Sequence, residues 1–201
     1  MEKILGNLKK GLLFVISAPA GTGKTTLAQM LRKEFPDTIA YSISFTTRKP
    51  RGGEVNGKDY FFISDEEFKA KIQAGEFLEY AKVFDHYYGT SKKVIDEECH
   101  KGHHVLLVID TQGAMQLKKK LDGVFVFISP PSLEELARRL KSRKTESEEA
   151  IQKRLSWAEK EMEMAKHYDY HIVNLHLKNA YDVLRSIVVA EEHRQRGMQH
   201  G

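Results

Sequence analysis

A single cysteine, Cys99, stands among the 201 residues, so no internal disulfide can form and a reducing compartment is expected. No apolar run approaches the ~18 residues that a membrane span needs. No internal repeat, low-complexity tract or long linker interrupts the chain. Strong net charge is missing too, since 32 basic residues against 28 acidic ones leave only +4. Many of the basic residues lie near candidate phosphate sites, which suits anionic small molecules better than a nucleic-acid footprint. The basic tail His193-Arg194-Gln195-Arg196 is accordingly read as a solvated helix end, not as an RNA contact. The N-terminus has the outline of a leader, with Lys3, Lys9 and Lys10 before the apolar run Leu12 to Ile16 and Ala18-Pro19-Ala20 as a cleavage site. Cleavage there would remove the strand and half of the loop that carry the clearest chemistry. That reading is rejected, and the protein is expected to be cytoplasmic, with no membrane or nucleic-acid partner.

What is present is enough for one compact α/β domain, at 41% hydrophobic content. Leu12 to Ile16, Val105 to Ile109, Val124 to Ile128 and His171 to Val173 read as buried strands. Helical patterns between them argue for a parallel sheet with crossover helices. Lys24 to Glu34 is one such helix. Ser132 with Glu135, and Thr145 with Glu148, form capping boxes for two more, the second carrying the stripe Ile151, Leu155, Ala158, Met162 and Ala165. A last helix begins near Asn179 and buries Tyr181, Leu184 and Val188.

Residues 43–90 read as a small α+β insert in a core of residues 1–42 and 91–201. Asn56-Gly57 is a hairpin-type turn signal before the aromatic strand Tyr60 to Ile63. Ser64 and Glu67 cap a short helix ending at Gly75, and strand-like pieces follow at Phe77 to Val83 and Tyr87-Tyr88.

The strand Leu12 to Ile16 runs into Ala18-Pro19-Ala20-Gly21-Thr22-Gly23-Lys24-Thr25 and then directly into a helix. In such a loop successive backbone N–H groups point at phosphate, and the helix N-terminus adds a positive field. Lys24 is spaced to reach the β- and γ-phosphates, and the Thr25 hydroxyl to ligate Mg²⁺. Ala18 stands where the common pattern has glycine, and a positive φ there would be strained. Asp110 ends the strand Val105 to Ile109, where a P-loop protein keeps a carboxylate for the metal or its water. Arg139 and Arg143 lie four apart on one helix face and Arg154 on the next helix. Alone they read as a solvated basic face; beside a phosphate loop they suit charge neutralisation during phosphoryl transfer, where one arginine is worth ~10³ to 10⁵ in rate.

Arg48 and Arg51, three apart beside a proline-glycine turn, form an anion clamp to which Tyr60 adds a phenol donor. By itself this clamp serves any phosphorylated acceptor. From the phosphate loop through Ser44-Phe45-Thr46-Thr47-Arg48 to Tyr60, Phe77-Leu78-Glu79-Tyr80, Tyr87-Tyr88-Gly89-Thr90, Ile109-Asp110-Thr111-Gln112-Gly113, Pro130-Pro131-Ser132 and Ile172-Val173-Asn174, the chain resembles the guanylate kinase family. The insert motif is specific to that family, whereas many nucleotide-binding proteins share the loop.

The resemblance implies a P-loop nucleoside monophosphate kinase fold, with a GMP-binding insert and a helical lid at about residues 139–155. It implies Mg-dependent transfer from ATP to GMP, and to dGMP. Arg48, Arg51, Tyr60 and Tyr88 would hold the GMP phosphate, with Glu54, Gly89 and Asp110 in the same site. Glu79 would accept from guanine N1–H and the 2-amino group, with Ser44 and Thr90 near O6. Adenine offers no such donors and would leave the carboxylate unpaired. Residues Ala18 to Thr26 would bind ATP, with Lys24 catalytic, Arg139, Arg143 and Arg154 closing over the phosphates, and Asn174 near the adenine.

Three positions depart from the family pattern. Thr90 replaces serine and keeps the hydroxyl, Lys144 replaces a glycine after the lid arginine, and Val108 replaces an acidic residue two before Asp110. Cys99, His100, His103 and His104 lack the spacing of a metal site and read as loop and strand-edge residues. His86 reads as a turn residue and Trp157 as packing. A kinase for another nucleoside monophosphate, and a binding module of the same fold without turnover, are the rival readings. Glu79 with the insert motif argues against the first, and the intact Gly21, Gly23, Lys24 and Thr25 against the second.

Overall fold

The computed structural model describes residues 3–83, 85–142 and 147–195. Strand β1 (Leu13–Ser17) runs through the glycine-rich loop into helix α1 (Lys24–Glu34), and the chain returns as β2 (Ile39–Ser42). A smaller unit follows, made of β3 (Phe45–Thr46), β4 (Phe61–Phe62), α2 (Asp65–Gln73), β5 (Phe77–Val83) and β6 (His86–Ser91). Alternation then resumes with α3 (Lys92–His100), β7 (His104–Ile109), α4 (Thr111–Lys118), β8 (Val124–Ser129), α5 (Leu133–Ser142) and α6 (Glu148–Glu163). A 3₁₀ turn at Met164–His167 leads to β9 (Tyr170–Val173) and α7 (Leu177–His193).

Five strands form one parallel sheet in the order β2-β7-β1-β8-β9. Side chains alternate across a strand, and the central strands are apolar on both faces. Phe14, Ile16, Leu106, Val126 and Ile128 pack with Leu27 and Leu31 of α1 and Leu184 and Val188 of α7. Leu13, Val15, Val105, Leu107 and Phe125 pack the other way, with Ile95 and Cys99 of α3 and Ala114 and Leu117 of α4. Both faces are therefore covered, as an all-parallel sheet requires. Ser17 is in register with Ile109, so the glycine-rich loop and Asp110 leave the sheet side by side. Open parallel sheets bind ligands there, beyond the carboxyl ends of strands that diverge. The second sheet runs β4-β3-β6-β5. Among the described residues no helix is long and apolar enough to cross a membrane.

Several local expectations are corrected. The edge strand β2 was not foreseen: Ile-Ala-Tyr-Ser is short and only half buried, so it lacks the apolar run of its neighbours. Asn56-Gly57 makes a turn, with Gly57 at φ 75° and its N–H bonded to the Tyr60 carbonyl, but no hairpin, because β3 and β4 pair in parallel. Thr145 lies outside the described residues; Ser147 caps α6, accepting from the Ala150 N–H at 3.3 Å. Met162 and Ala165 are only partly buried, and Glu161 is buried in their place. Helix α7 starts two residues before Asn179 and buries Tyr181, Leu184 and Val188. Cys99 and His100 belong to α3, and His86 opens β6. His104 is not at an edge but fully buried in the interior strand β7. Its Nδ1 accepts from the Leu12 N–H at 3.0 Å, so Nε2 carries the proton and donates to Glu192 at 2.5 Å. Glu192 also accepts from the N–H groups of Gly6 and Asn7, tying α7 to the N-terminal segment.

Candidate active site

The glycine-rich loop takes left-handed backbone only at Gly21 (φ 91°) and Gly23 (φ 96°). Ala18 is not at positive φ, so alanine there carries no strain. A Cβ on Gly21 would come within 2.9 Å of Leu140 and 3.2 Å of Leu136, so α5 packs directly on the loop. Gly23 is the N-cap of α1, whose first turn presents Lys24, Thr25 and Thr26. The Lys24 ammonium donates to the Ala18 carbonyl at 3.2 Å. Behind the loop, the Asn174 side-chain amide donates to the Thr22 carbonyl at 2.7 Å, and the Arg139 guanidinium donates to the Asn174 carbonyl at 2.9 Å. Asn174 and Arg139 therefore brace the loop from outside the cleft.

A cleft of about 380 Å³ opens above the loop and reaches the small sheet. Its donor end is lined by Ala18, Ala20, Gly21, Gly23, Lys24, Thr25 and Thr26, and its far end by Ser44, Arg48, Arg51, Glu54, Tyr60, Glu79 and Tyr88. Asp110, Val108 and Arg154 also line it. The structure thus gathers most of the residues singled out in the sequence. Pro19, Thr22, Gly89, Thr90, Arg139 and Asn174 do not line the cleft. Gly89 is buried instead against Phe68 and Phe77, which a Cβ would approach to 2.9 and 3.1 Å. Arg143 and Lys144 lie outside the described residues.

Asp110 is the N-cap of α4, its Oδ1 accepting from the N–H groups of Gln112 (2.7 Å) and Gly113 (3.1 Å). At the far end Arg48 stacks over Tyr60, 5.5 Å from the ring centroid, and donates to Glu54 at 2.9 Å. Glu54 also accepts from the backbone N–H of Arg51 at 2.7 Å, so one carboxylate ties the Arg48 side chain to the main chain at Arg51. Burial outweighs the neighbouring arginines at Tyr60 and pushes its phenol up, which keeps it an O–H donor toward an anion.

Glu79 is 4% exposed, and the Thr90 hydroxyl donates to its Oε1 at 2.5 Å. Burial pushes its carboxyl up to about 7, with the Thr90 hydrogen bond opposing and the charge of Asp110 adding to the rise.

Two of the cleft residues that escaped the sequence reading stand out. Trp157 on α6 is 37% exposed and lines the cleft instead of packing in the core. Glu161, a turn further along, is 7% exposed, lines the cleft and accepts from the Thr111 hydroxyl at 3.2 Å. Burial pushes it up to about 7, against the pull of Lys24 and Thr111. In the sequence it is one acidic residue in the run Glu159-Lys160-Glu161, with nothing to separate it from a solvated face. Its place in the stripe, three residues after Ala158, was the available signal.

A parallel sheet with a glycine-rich phosphate loop after its central strand, facing paired arginines at the far end of the same cleft, defines a P-loop kinase of nucleoside monophosphates. The family model described as guanylate kinase matches residues 10–191. The chain belongs to the guanylate kinase family, whose reaction is phosphoryl transfer from ATP to GMP. It is 60% identical over 189 residues to a guanylate kinase of Protochlamydia amoebophila, covering 94% of this chain and 95% of that one. With a guanylate kinase of Clostridioides difficile it shares 50% identity over 188 residues, covering 93% and 91%. The crystal structure of guanylate kinase from Anaplasma phagocytophilum matches with a TM-score of 0.78 at 36% identity, over 92% of this chain and 88% of that one.

Proposed function

We propose that the chain moves the terminal phosphoryl group of ATP in line onto the phosphate of GMP or dGMP, with Mg²⁺ as cofactor. The observation that carries the acceptor is Glu79, a buried carboxylate lining the same cleft as Arg48, Arg51, Tyr60 and Tyr88. An ionised carboxylate accepts both the N1–H and the 2-amino group of guanine. A base without them leaves a desolvated anion unpaired, which penalises AMP. Ser44 addresses the O6 edge, and Thr90, whose hydroxyl is committed to Glu79, acts on the base through it.

The backbone N–H groups of Ala20, Gly21, Gly23, Lys24 and Thr25, with the Lys24 ammonium, hold the donor phosphates, Thr26 adds its hydroxyl, and Asn174 serves the ATP site by bracing the loop through the Thr22 carbonyl. Arg154, which lines the cleft, neutralises charge that spreads over the transferred group, and Arg139 and Arg143 join it on lid closure, Arg139 by leaving the Asn174 carbonyl. Thr25 and Asp110 are hard oxygen donors at the donor end of the cleft and fit Mg²⁺, Asp110 through water. The metal would supply charge neutralisation on the phosphates. No general base is required, because the acceptor phosphate is already an anionic nucleophile.

The division into a core (1–42 and 91–201), an acceptor insert (43–90) and a lid (about 139–155) belongs to the same proposal. The two sheets support it, meeting across one cleft. So does a cytoplasmic setting, in keeping with the free thiol of Cys99. The test is ADP release measured with GMP, dGMP, AMP, CMP and UMP as acceptors. GMP and dGMP are expected to dominate, and a preference for AMP would overturn the reading.

A further inference from the structure

Helix α4 crosses strand β5 at the point where the core meets the acceptor half of the cleft. The Gln116 side chain donates to the Tyr80 carbonyl at 3.1 Å, which fixes the helix against the strand beside Glu79. One turn earlier, Gly113 faces the Glu79 carboxylate directly. A Cβ on Gly113 would lie 2.4 Å from Glu79 Oε2 and 3.1 Å from its Cδ. Oε1 is meanwhile held at 2.5 Å by Thr90. The carboxylate is therefore gripped from two sides, by a hydroxyl and by a backbone without a side chain. Gly113 lies in the first turn of α4, and its lack of a Cβ is what leaves room for the carboxylate there.

We propose that Gly113 is the positioning residue for guanine selectivity, its bare Cα forming the slot that seats the Glu79 carboxylate. The inference rests on GMP being the acceptor. A methyl group at 113 would push Oε2, the free end of the Glu79 side chain, out of its seat and strain the Thr90 hydrogen bond to Oε1. The two oxygens would then no longer match the paired N1–H and 2-amino donors, while the ATP end would be untouched.

The test is a kinetic cycle on the full chain with Gly113→Ala, Glu79→Asp and the double variant, using GMP and IMP, which lacks the 2-amino group. Gly113→Ala is expected to raise KM for GMP about tenfold or more, to lower the preference for GMP over IMP, and to leave KM for ATP within about twofold. In the Glu79→Asp background, where the carboxylate is one methylene shorter, the same substitution should cost less than about twofold. If Gly113→Ala does not fold, the double variant should fold, since the clashing atom is withdrawn. An unchanged GMP/IMP preference in Gly113→Ala, an equal loss in both backgrounds, or a double variant that still fails to fold would overturn the proposal. Wild-type protein that does not use GMP would instead overturn the acceptor assignment itself.

Discussion

The hydroxyl of Thr111 reaches the carboxylate of Glu161 at 3.2 Å, joining the N-terminus of α4 to α6 across the floor of the cleft. This puts a second buried carboxylate beside Asp110, from a different element than the missing acidic residue at Val108 would have used. Glu161→Gln keeps the shape and removes the charge that faces Lys24. Turnover should fall about tenfold or more, as when a group orienting catalytic residues is lost, with KM for GMP nearly unchanged. Unaltered kcat in a steady-state assay would dismiss Glu161 from the machinery.

The two ends of the cleft should separate kinetically. On the proposed mechanism Lys24→Ala removes the cation that serves the donor phosphates, and kcat should drop about 10³-fold. Arg51→Ala should act mainly on KM for GMP, at the other end. Near-normal activity in the Lys24 variant would sink the mechanism.

Acceptor binding should depend on pH with a definite sign. Burial raises both Glu79 and Glu161 from 4.5 to about 7. Between those values the folded protein binds more protons than the unfolded chain, so the ligand-free protein loses stability as pH rises through that window. On the proposed acceptor reading guanine needs the ionised form of Glu79, so KM for GMP should fall as pH rises through about 7. In Glu79→Gln that slope should vanish, and a slope that persists would place its origin elsewhere.

Glu192 should behave in the opposite way. Burial pushes its carboxyl up, but the hydrogen bonds from Gly6, Asn7 and His104 outweigh it and hold the group below the usual carboxylate range. Its contribution is therefore present above its unfolded pKa and is lost as pH falls through the lowered one. Glu192→Ala strips four donors of their acceptor, His104 Nε2 among them. A loss of about 3 kcal/mol in denaturant unfolding is expected, with KM values for both substrates unchanged.

The sequence was most legible where one short segment carries both structure and chemistry. Lys24 to Glu34 matches α1 at both ends, because the loop fixes where the helix starts and Leu27 and Leu31 fix its face. It was least legible where long-range pairing decides. Strand β2 exists because β7 offers it a parallel edge, and Phe45–Thr46 is a strand only because β6 and β4 flank it. The site followed the same division. Arg48, Arg51 and Glu79 sit in distinctive segments, whereas Glu161 acquires its role from the turn of α6 that brings it over Lys24. The bracing roles of Asn174 and Arg139 were equally hidden, since each depends on a carbonyl of a distant residue.

The arginine clamp is not left open in the free protein. Glu54 accepts from the Arg48 guanidinium and from the backbone N–H of Arg51, so an anion supplied by the chain itself already engages one arm of the clamp. A phosphate entering this site must draw those donors away from a tethered rival. Glu54→Gln should therefore let inorganic phosphate inhibit at lower concentration while sparing KM for ATP; unchanged inhibition would show that the carboxylate does not compete. On the proposed acceptor reading a lone phosphate has no second grip to offset the exchange, whereas GMP is anchored also at Glu79. Selection against small anions would then lie at the phosphate end of the acceptor site, remote from the base.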